Sequence, residues 1–263
     1  MPEIRRVGVL LLTQATRPEQ LEDSLLRDDV VAYRPAPSTA PNMNSTNIAD
    51  LISGARSFHK PLAGVNTNLA AQYGHDPLSV GINECAAWRL ARLLGTPFSD
   101  LVPTTVLRWH GIDAATRLAF PAIVDGWGSL ASEQPGISMY PAPLDDPEIN
   151  DSAAFFDALI AQQDRHMAQY RWDPGSRRLG LIDHGFAFAR PGDVCNQSVF
   201  LGRRHADGRG ALQTLERRSL DAIASTNHLA GLAEILKADQ AAALEDRIAR
   251  MRASGTLIQP GDW

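Results

Sequence analysis

QQDRHMAQY at residues 162–170, followed after one hairpin's length by LGLIDHGFAF at 179–188, decides how the rest of the chain is read. Asp164 leads a run that places Gln169 five residues on, and Asp183 closes an apolar strand just before a His-Gly turn. Moving a phosphoryl group requires a carboxylate near the attacking hydroxyl and another that holds Mg²⁺ against the phosphates. The two segments supply that pair in the right order, so the sequence predicts a phosphoryl-transfer site.

Immediately upstream, NDSAAFFDALIAQQDRH (150–166) opens with an Asn-Asp-Ser cap signal and continues with helical spacing, which predicts a helix that carries Asp164 to its end. RWDPGSRRLGLIDHG (171–185) reads as a hairpin around a Pro-Gly turn. From ALQTLERRSLDAI (211–223) through LAEILKADQAAALEDRIARMR (232–252) the period is helical. The first half differs. VGVLLL (7–12) reads as a buried strand, residues 15–45 as a Pro/Ser/Asn-rich loop, and NIADLI (47–52) with ARSFHKPL (55–62) as a hairpin turning at Ser53 and Gly54. INECAAWRLARLLG (82–95) is a helix closing on Gly95, and VPTTVLRW (102–109) and TRLAFPAIVDGWG (116–128) are two more strands. The Gly-Trp-Gly at the end of the last is a connection, which sets the expected boundary between a strand-rich lobe at 1–125 and a helical lobe at 126–263.

Composition narrows the partners. At 263 residues with net charge −5, the chain lacks the broad basic surface that nucleic acid or an anionic membrane would need. No apolar run approaches the length of a membrane span. Cys85 and Cys195, far apart and without zinc or disulfide spacing, fit a reducing cytoplasm.

Taken singly, the polar residues of interest have ordinary readings. A strand lysine is usually solvated, and Glu84 near a helix start is favoured by the helix dipole. As a set they point elsewhere, because Lys60 and Glu84 would form the ion pair that directs a lysine onto ATP phosphates. Asp164 would accept the proton of a substrate hydroxyl, Arg165 would neutralise nearby charge, and His166 offers a second proton acceptor. Asp183 would hold Mg²⁺, which takes one or two protein carboxylates plus phosphate oxygens. His59, His75, His110, His205 and His228 lack ligand spacing, and neither a Walker A run nor GxGxxG is present.

FHKPLAG (58–64), NECAAWRLARLLG (83–95) with VPTTVL (102–107), DALIAQQDRHMAQY (157–170) and LGLIDHGFAF together resemble the actinobacterial branch of the phosphatidylinositol 3-/4-kinase-like atypical kinases, and more distantly HipA-type kinases. The resemblance covers roughly residues 44–190. It implies an α+β, bilobal protein-kinase-like fold with ATP between the lobes, and a linker near Asp125–Ser129, Gly126 included, meeting adenine through its backbone. It further implies that Lys60 contacts the ATP phosphates with Glu84 as its brace, and that Ser45 and Asn47 in NSTN (44–47) replace a phosphate-covering glycine loop. Asp164 becomes the catalytic-loop aspartate, His166 an acid or base, and Asp183 the metal aspartate. The family's DRHxxN run ends in asparagine where this chain has Gln169, whose amide oxygen can still ligate Mg²⁺ from a side chain one methylene longer.

The implied activity is Mg²⁺-dependent transfer of the ATP γ-phosphate to a hydroxyl of a small molecule or protein. The alternatives are a pseudokinase-like nucleotide-binding module and a nucleotidyl (AMP) transferase on the same fold. SVFLGRRHADGRG (198–210) carries Arg203, Arg204 and Arg209, which either meet an anionic acceptor or form an exposed turn, the latter being the favoured reading.

Overall fold

The computed structural model describes residues 18–36, 46–110, 126–196, 198–225, 228–259 and 261–263. The stretches VGVLLL and Asn44–Ser45, and most of the strand expected at 116–128, lie outside the described residues.

Five antiparallel strands form one sheet in the order β1-β2-β3-β5-β4: β1 (Val30–Pro35), β2 (Asn47–Leu51), β3 (Arg56–Pro61), β4 (Thr105–His110) and β5 (Gly126–Ser132). The β2–β3 hairpin turns at Ser53 and Gly54 as its alternation predicts. β3 alternates in burial, so His59 is covered while Lys60 emerges on the opposite side of the strand. Within residues 15–45, expected as loop, the described residues 18–36 instead supply helix α1 (Pro18–Arg27) and strand β1, and 15–17 and 37–45 lie outside the described residues. One face of the sheet closes with α1 over a small core of Leu25, Ala49, Leu51, Val106 and Leu130.

Between β3 and β4 come a single 3₁₀ turn (Leu62–Gly64), α2 (Thr67–Gln72), α3 (Pro77–Leu94) and α4 (Phe98–Leu101). Helix α3 starts where Asp76 accepts a hydrogen bond from the Ser79 amide at 2.9 Å, with Pro77 in the first turn where its missing N–H costs nothing, and it ends at Gly95. It is buried on most of its circumference, from Val80 to Leu94, so it is a central helix shared by both halves.

The boundary expected at Gly126 is corrected. β5 pairs on both sides, Lys60 opposite Ser129 on β3 and Val106 opposite Leu130 on β4, so residues 126–132 are an interior strand. The chain leaves the sheet only after Ser132. Beyond it lie α5 (Ala142–Asp145), α6 (Pro147–Leu159), the hairpin β6 (Tyr170–Asp173) and β7 (Arg178–Leu181), then α7 (Val199–Ala206), α8 (Thr214–Ser225), α9 (His228–Ala233) and α10 (Ala238–Ser254). Their shared core includes Phe155, Phe156, Tyr170, Phe188, Phe200, Ile223, Leu244 and Met251. Each such side chain contributes about 1.5–3 kcal/mol by leaving water.

Two further expectations change here. α6 is capped by Asp146, not by Asn150–Ser152, and stops at Leu159, so QQDRH is loop and not the end of a helix. The 198–210 stretch is mostly helix α7, with Arg204 fully buried against Glu216 and Arg209 paired with Asp151. Those two arginines tie α7 and the turn after it to neighbouring helices, while the exposed Arg203 pairs with Asp145 and Asp207.

Candidate active site

Lys60 is the hub. Its Nζ donates to Glu84 Oε1 at 2.5 Å and to Asp183 Oδ1 at 2.7 Å, which joins β3, α3 and the turn after β7 in one contact. Burial alone would push the Lys60 ammonium toward neutrality, yet the two carboxylates outweigh it and hold the pKa above the usual lysine value. Burial likewise works against the Glu84 carboxylate and is outweighed by Lys60 and His184, leaving it well below the usual carboxylate range. The remaining Glu84 oxygen, Oε2, accepts the His184 backbone N–H at 3.0 Å.

Asp183 occupies the left-handed region at φ 62, uncommon for a residue with a side chain, and its own carbonyl accepts from Gln162 Nε2 at 2.9 Å. Its side chain remains 38% exposed, so it faces open space as well as Lys60.

The loop bearing Asp164 is built by burial of its neighbour. Ala161, at φ 45 and fully buried, turns the chain out of α6. Arg165 then points inward, donating to Asp157 at 3.2 Å, to the Gln169 carbonyl at 2.7 Å and to the Ile182 carbonyl. Ser198 Oγ completes the Asp157 shell at 2.7 Å. The expected cleft role of Arg165 is therefore corrected: fully buried, it clips the Asp164 loop to the segment carrying Asp183.

With Arg165 turned in, Asp164 and His166 turn out. Asp164 Oδ1 accepts from Asn196 Nδ2 and Oδ2 from Gln169 Nε2, both at 3.4 Å. Burial raises the Asp164 pKa, with the nearby Asp183 charge adding to it, while His166, Asn196 and Gln169 pull the other way. His166 is over half exposed, its Nε2 4.0 Å from Asp164 Oδ2 and its Nδ1 accepting the Ala168 N–H at 3.2 Å.

Gln169 bears on metal binding. Its Nε2 is used on Asp164, while its Oε1 is buried without a hydrogen-bond partner among the described residues. A buried lone pair left free beside a carboxylate is suited to a hard cation. No group of three or more His, Cys, Asp or Glu side chains that could hold a metal occurs among the described residues. Asp183 and the Gln169 amide oxygen would supply one carboxylate and one amide ligand to an ion whose other ligands come from nucleotide and water.

The remaining expected residues are less central. Asn47 is buried at the start of β2, paired in register with His59 and next to the Lys60 strand. Gly126 opens β5, opposite His110, with the strand's length of about 20 Å between it and Ser132, where the chain leaves the sheet. A cavity of about 310 Å³ lies behind α3, lined by residues such as Cys85, Trp88 and Val106, and includes none of the cleft residues.

Several members of the site carry no sequence signal. Asn196 also donates to the Tyr73 hydroxyl at 2.7 Å, and Gln163 Nε2 donates to the Tyr73 carbonyl at 3.0 Å. Asp157 is hidden in an apolar helix. Only the Gln162–Gln163 pair, polar and consecutive just before Asp164, could have drawn attention.

No family model matches the sequence, and no curated protein sequence matches it. Among solved structures the chain is similar to Golgi casein kinase with Mn/ADP bound, at 16% identity and a TM-score of 0.59, covering 90% of this chain and 74% of that one. A second structure of Golgi casein kinase gives 15% identity, a TM-score of 0.59, and 90% and 75% coverage. At such identity the likeness carries the fold. The chain has an atypical-kinase-like, α+β bilobal fold, with a strand-rich N-lobe and a helical C-lobe.

Proposed function

We propose that this chain is a phosphotransferase that moves the γ-phosphate of ATP to a hydroxyl of a small molecule or protein, with Mg²⁺, by the chemistry of the phosphatidylinositol 3-/4-kinase-like atypical kinases. The observation that carries the reading is Lys60 held between Glu84 and Asp183, with Asp164 presented from the adjoining loop. The Golgi casein kinase whose structure holds Mn and ADP supports nucleotide and divalent metal use on this fold. Two free thiols suit the cytoplasm, and no described helix is long and apolar enough to cross a membrane.

Asp183 and the Gln169 amide oxygen would hold the metal, which when bound neutralises phosphate charge. Lys60, kept cationic, exchanges its Asp183 contact for phosphate oxygens while Glu84 keeps it aimed. The raised Asp164 carboxylate takes the acceptor's hydroxyl proton as that oxygen bonds to phosphorus and ADP leaves. His166, exposed beside it, is placed to accept the proton next. Adenine would meet backbone following Ser132, where the chain passes between the lobes. The free Gln169 oxygen favours turnover over a binding-only role.

The test is incubation with ATP labelled separately at the γ-phosphate and the adenine, with hydroxylated metabolites and proteins as acceptors. The γ-label alone should move, and Asp183→Ala should abolish metal-dependent transfer in a folded protein. Transfer of the adenine label would mean AMP transfer, and full activity of Asp183→Ala would overturn the assignment.

A further inference from the structure

Asn83, on α3, is fully buried and lies one residue before the brace Glu84. Its Nδ2 donates to the Gly185 carbonyl at 2.9 Å and the Ala187 carbonyl at 2.8 Å, and its Oδ1 accepts from Gln240 of α10 at 3.2 Å. Glu84 meanwhile accepts the His184 N–H. Two consecutive side chains of one helix therefore fix the backbone of residues 184, 185 and 187, directly after Asp183. The loop also lies flat on this helix, since a Cβ on Gly185 would come 2.6 Å from Val80 Cγ1.

We infer that Asn83 is a positioning residue for the metal: with Glu84 it staples the loop to α3 and so holds Asp183 in its left-handed conformation, aimed at the cleft. The inference rests on the nucleotide and metal reading above and deepens it. An asparagine suits the place because two carbonyls need two donors from one group, and an aspartate of equal size offers none. The staple also ties the brace helix to α10, so α3 cannot swing away from Lys60 without breaking buried hydrogen bonds. The Lys60–Glu84 pair is accordingly assembled before nucleotide arrives.

Mn²⁺ binding to the protein with saturating ADP, followed by electron paramagnetic resonance, reads this without turnover. Asn83→Ala and Asn83→Asp should weaken Mn²⁺ about 10-fold or more, as loss of a group orienting a metal ligand does. ADP binding in EDTA should weaken less than Mn²⁺ binding, because Lys60 and Glu84 themselves remain. Amide hydrogen exchange in residues 183–187 should accelerate in the same variants. Gln240→Ala, which frees the Asn83 amide but keeps both donors, should shift Mn²⁺ in the same direction by less, and it decides the matter if circular dichroism finds the Asn83 variants unfolded. Mn²⁺ affinity and loop exchange unchanged in folded variants would overturn the inference. If the parent protein binds no Mn²⁺ with ADP, the proposed function fails, and the exchange measurement alone still supports or overturns the staple.

Discussion

Arg165 stands in the sequence between two groups that face the cleft, and its guanidinium faces the other way. Its donors are spent on Asp157 and on the carbonyls of Gln169 and Ile182. Both members of the pair are fully buried, so removing one leaves a charge in an apolar interior without compensation, at a cost of about 3–5 kcal/mol. Arg165→Met should therefore lower the urea midpoint by an amount equivalent to that loss, and a change below about 1 kcal/mol would show that the clip is not structural. The lesson at this scale is that residue type did not reveal direction. Asp164, His166 and Arg165 are equally polar in sequence, and only the partner Asp157, eight residues upstream inside an apolar run, decides which one is inside.

At the scale of elements, the hairpins and α3 were legible because their periodicity and end signals agree. Alternating burial across Ser57–Pro61 and the closing Gly95 of α3 mark them without tertiary help, whereas the start of α3 at Pro77 behind the Asp76 cap lies five residues before the expected start at Ile82. The end of α6 was not legible. Ala158, Leu159, Ile160 and Ala161 continue the apolar pattern without Gly or Pro, and the stop comes from Ala161 taking a positive φ that only the packed core enforces. β5 was hidden for a different reason, since Gly-Trp-Gly looks like a breaker while its backbone pairs with strands from distant sequence. The segment after β5 carries a further consequence. Ile137 exchanges hydrogen bonds with Trp172 at 2.8 and 2.9 Å, and the preceding Gly136, at φ 110, has its missing Cβ position 2.3 Å from the Trp172 carbonyl oxygen. Gly136→Ala must move that backbone and adopt a strained conformation, for about 1–3 kcal/mol. The expected result is a lower thermal midpoint with faster amide exchange at Ile137 and Trp172. Unchanged exchange at those two amides would mean that the segment joining the lobes is not held by this contact.

Across the whole molecule, burial of histidine gives stability a direction in pH. His75 donates from Nε2 to Gln163 Oε1 at 2.7 Å from a buried position, where the neutral ring is favoured. Burial lowers its pKa from the usual 6.5, and does the same for His184 and His205. Below about pH 6.5 the unfolded chain takes up protons at these sites before the folded chain does, so stability falls as pH falls, until each folded pKa is passed. Asp164 opposes this, because its raised pKa lets the folded state bind a proton first. Glu84, held low by Lys60, adds its own acid sensitivity only below the usual carboxylate value of 4.5. The histidines therefore dominate the window between about pH 6.5 and 5. Urea unfolding should give a nearly constant stability from pH 8 to 7 and a decline below about 6.5, and His75→Gln, which keeps a donor and an acceptor at the site without a titrating ring, should make that decline shallower. An equal slope in the two proteins would mean that His75 binds its proton as readily folded as unfolded, and that its contact with Gln163 does not depend on the neutral ring.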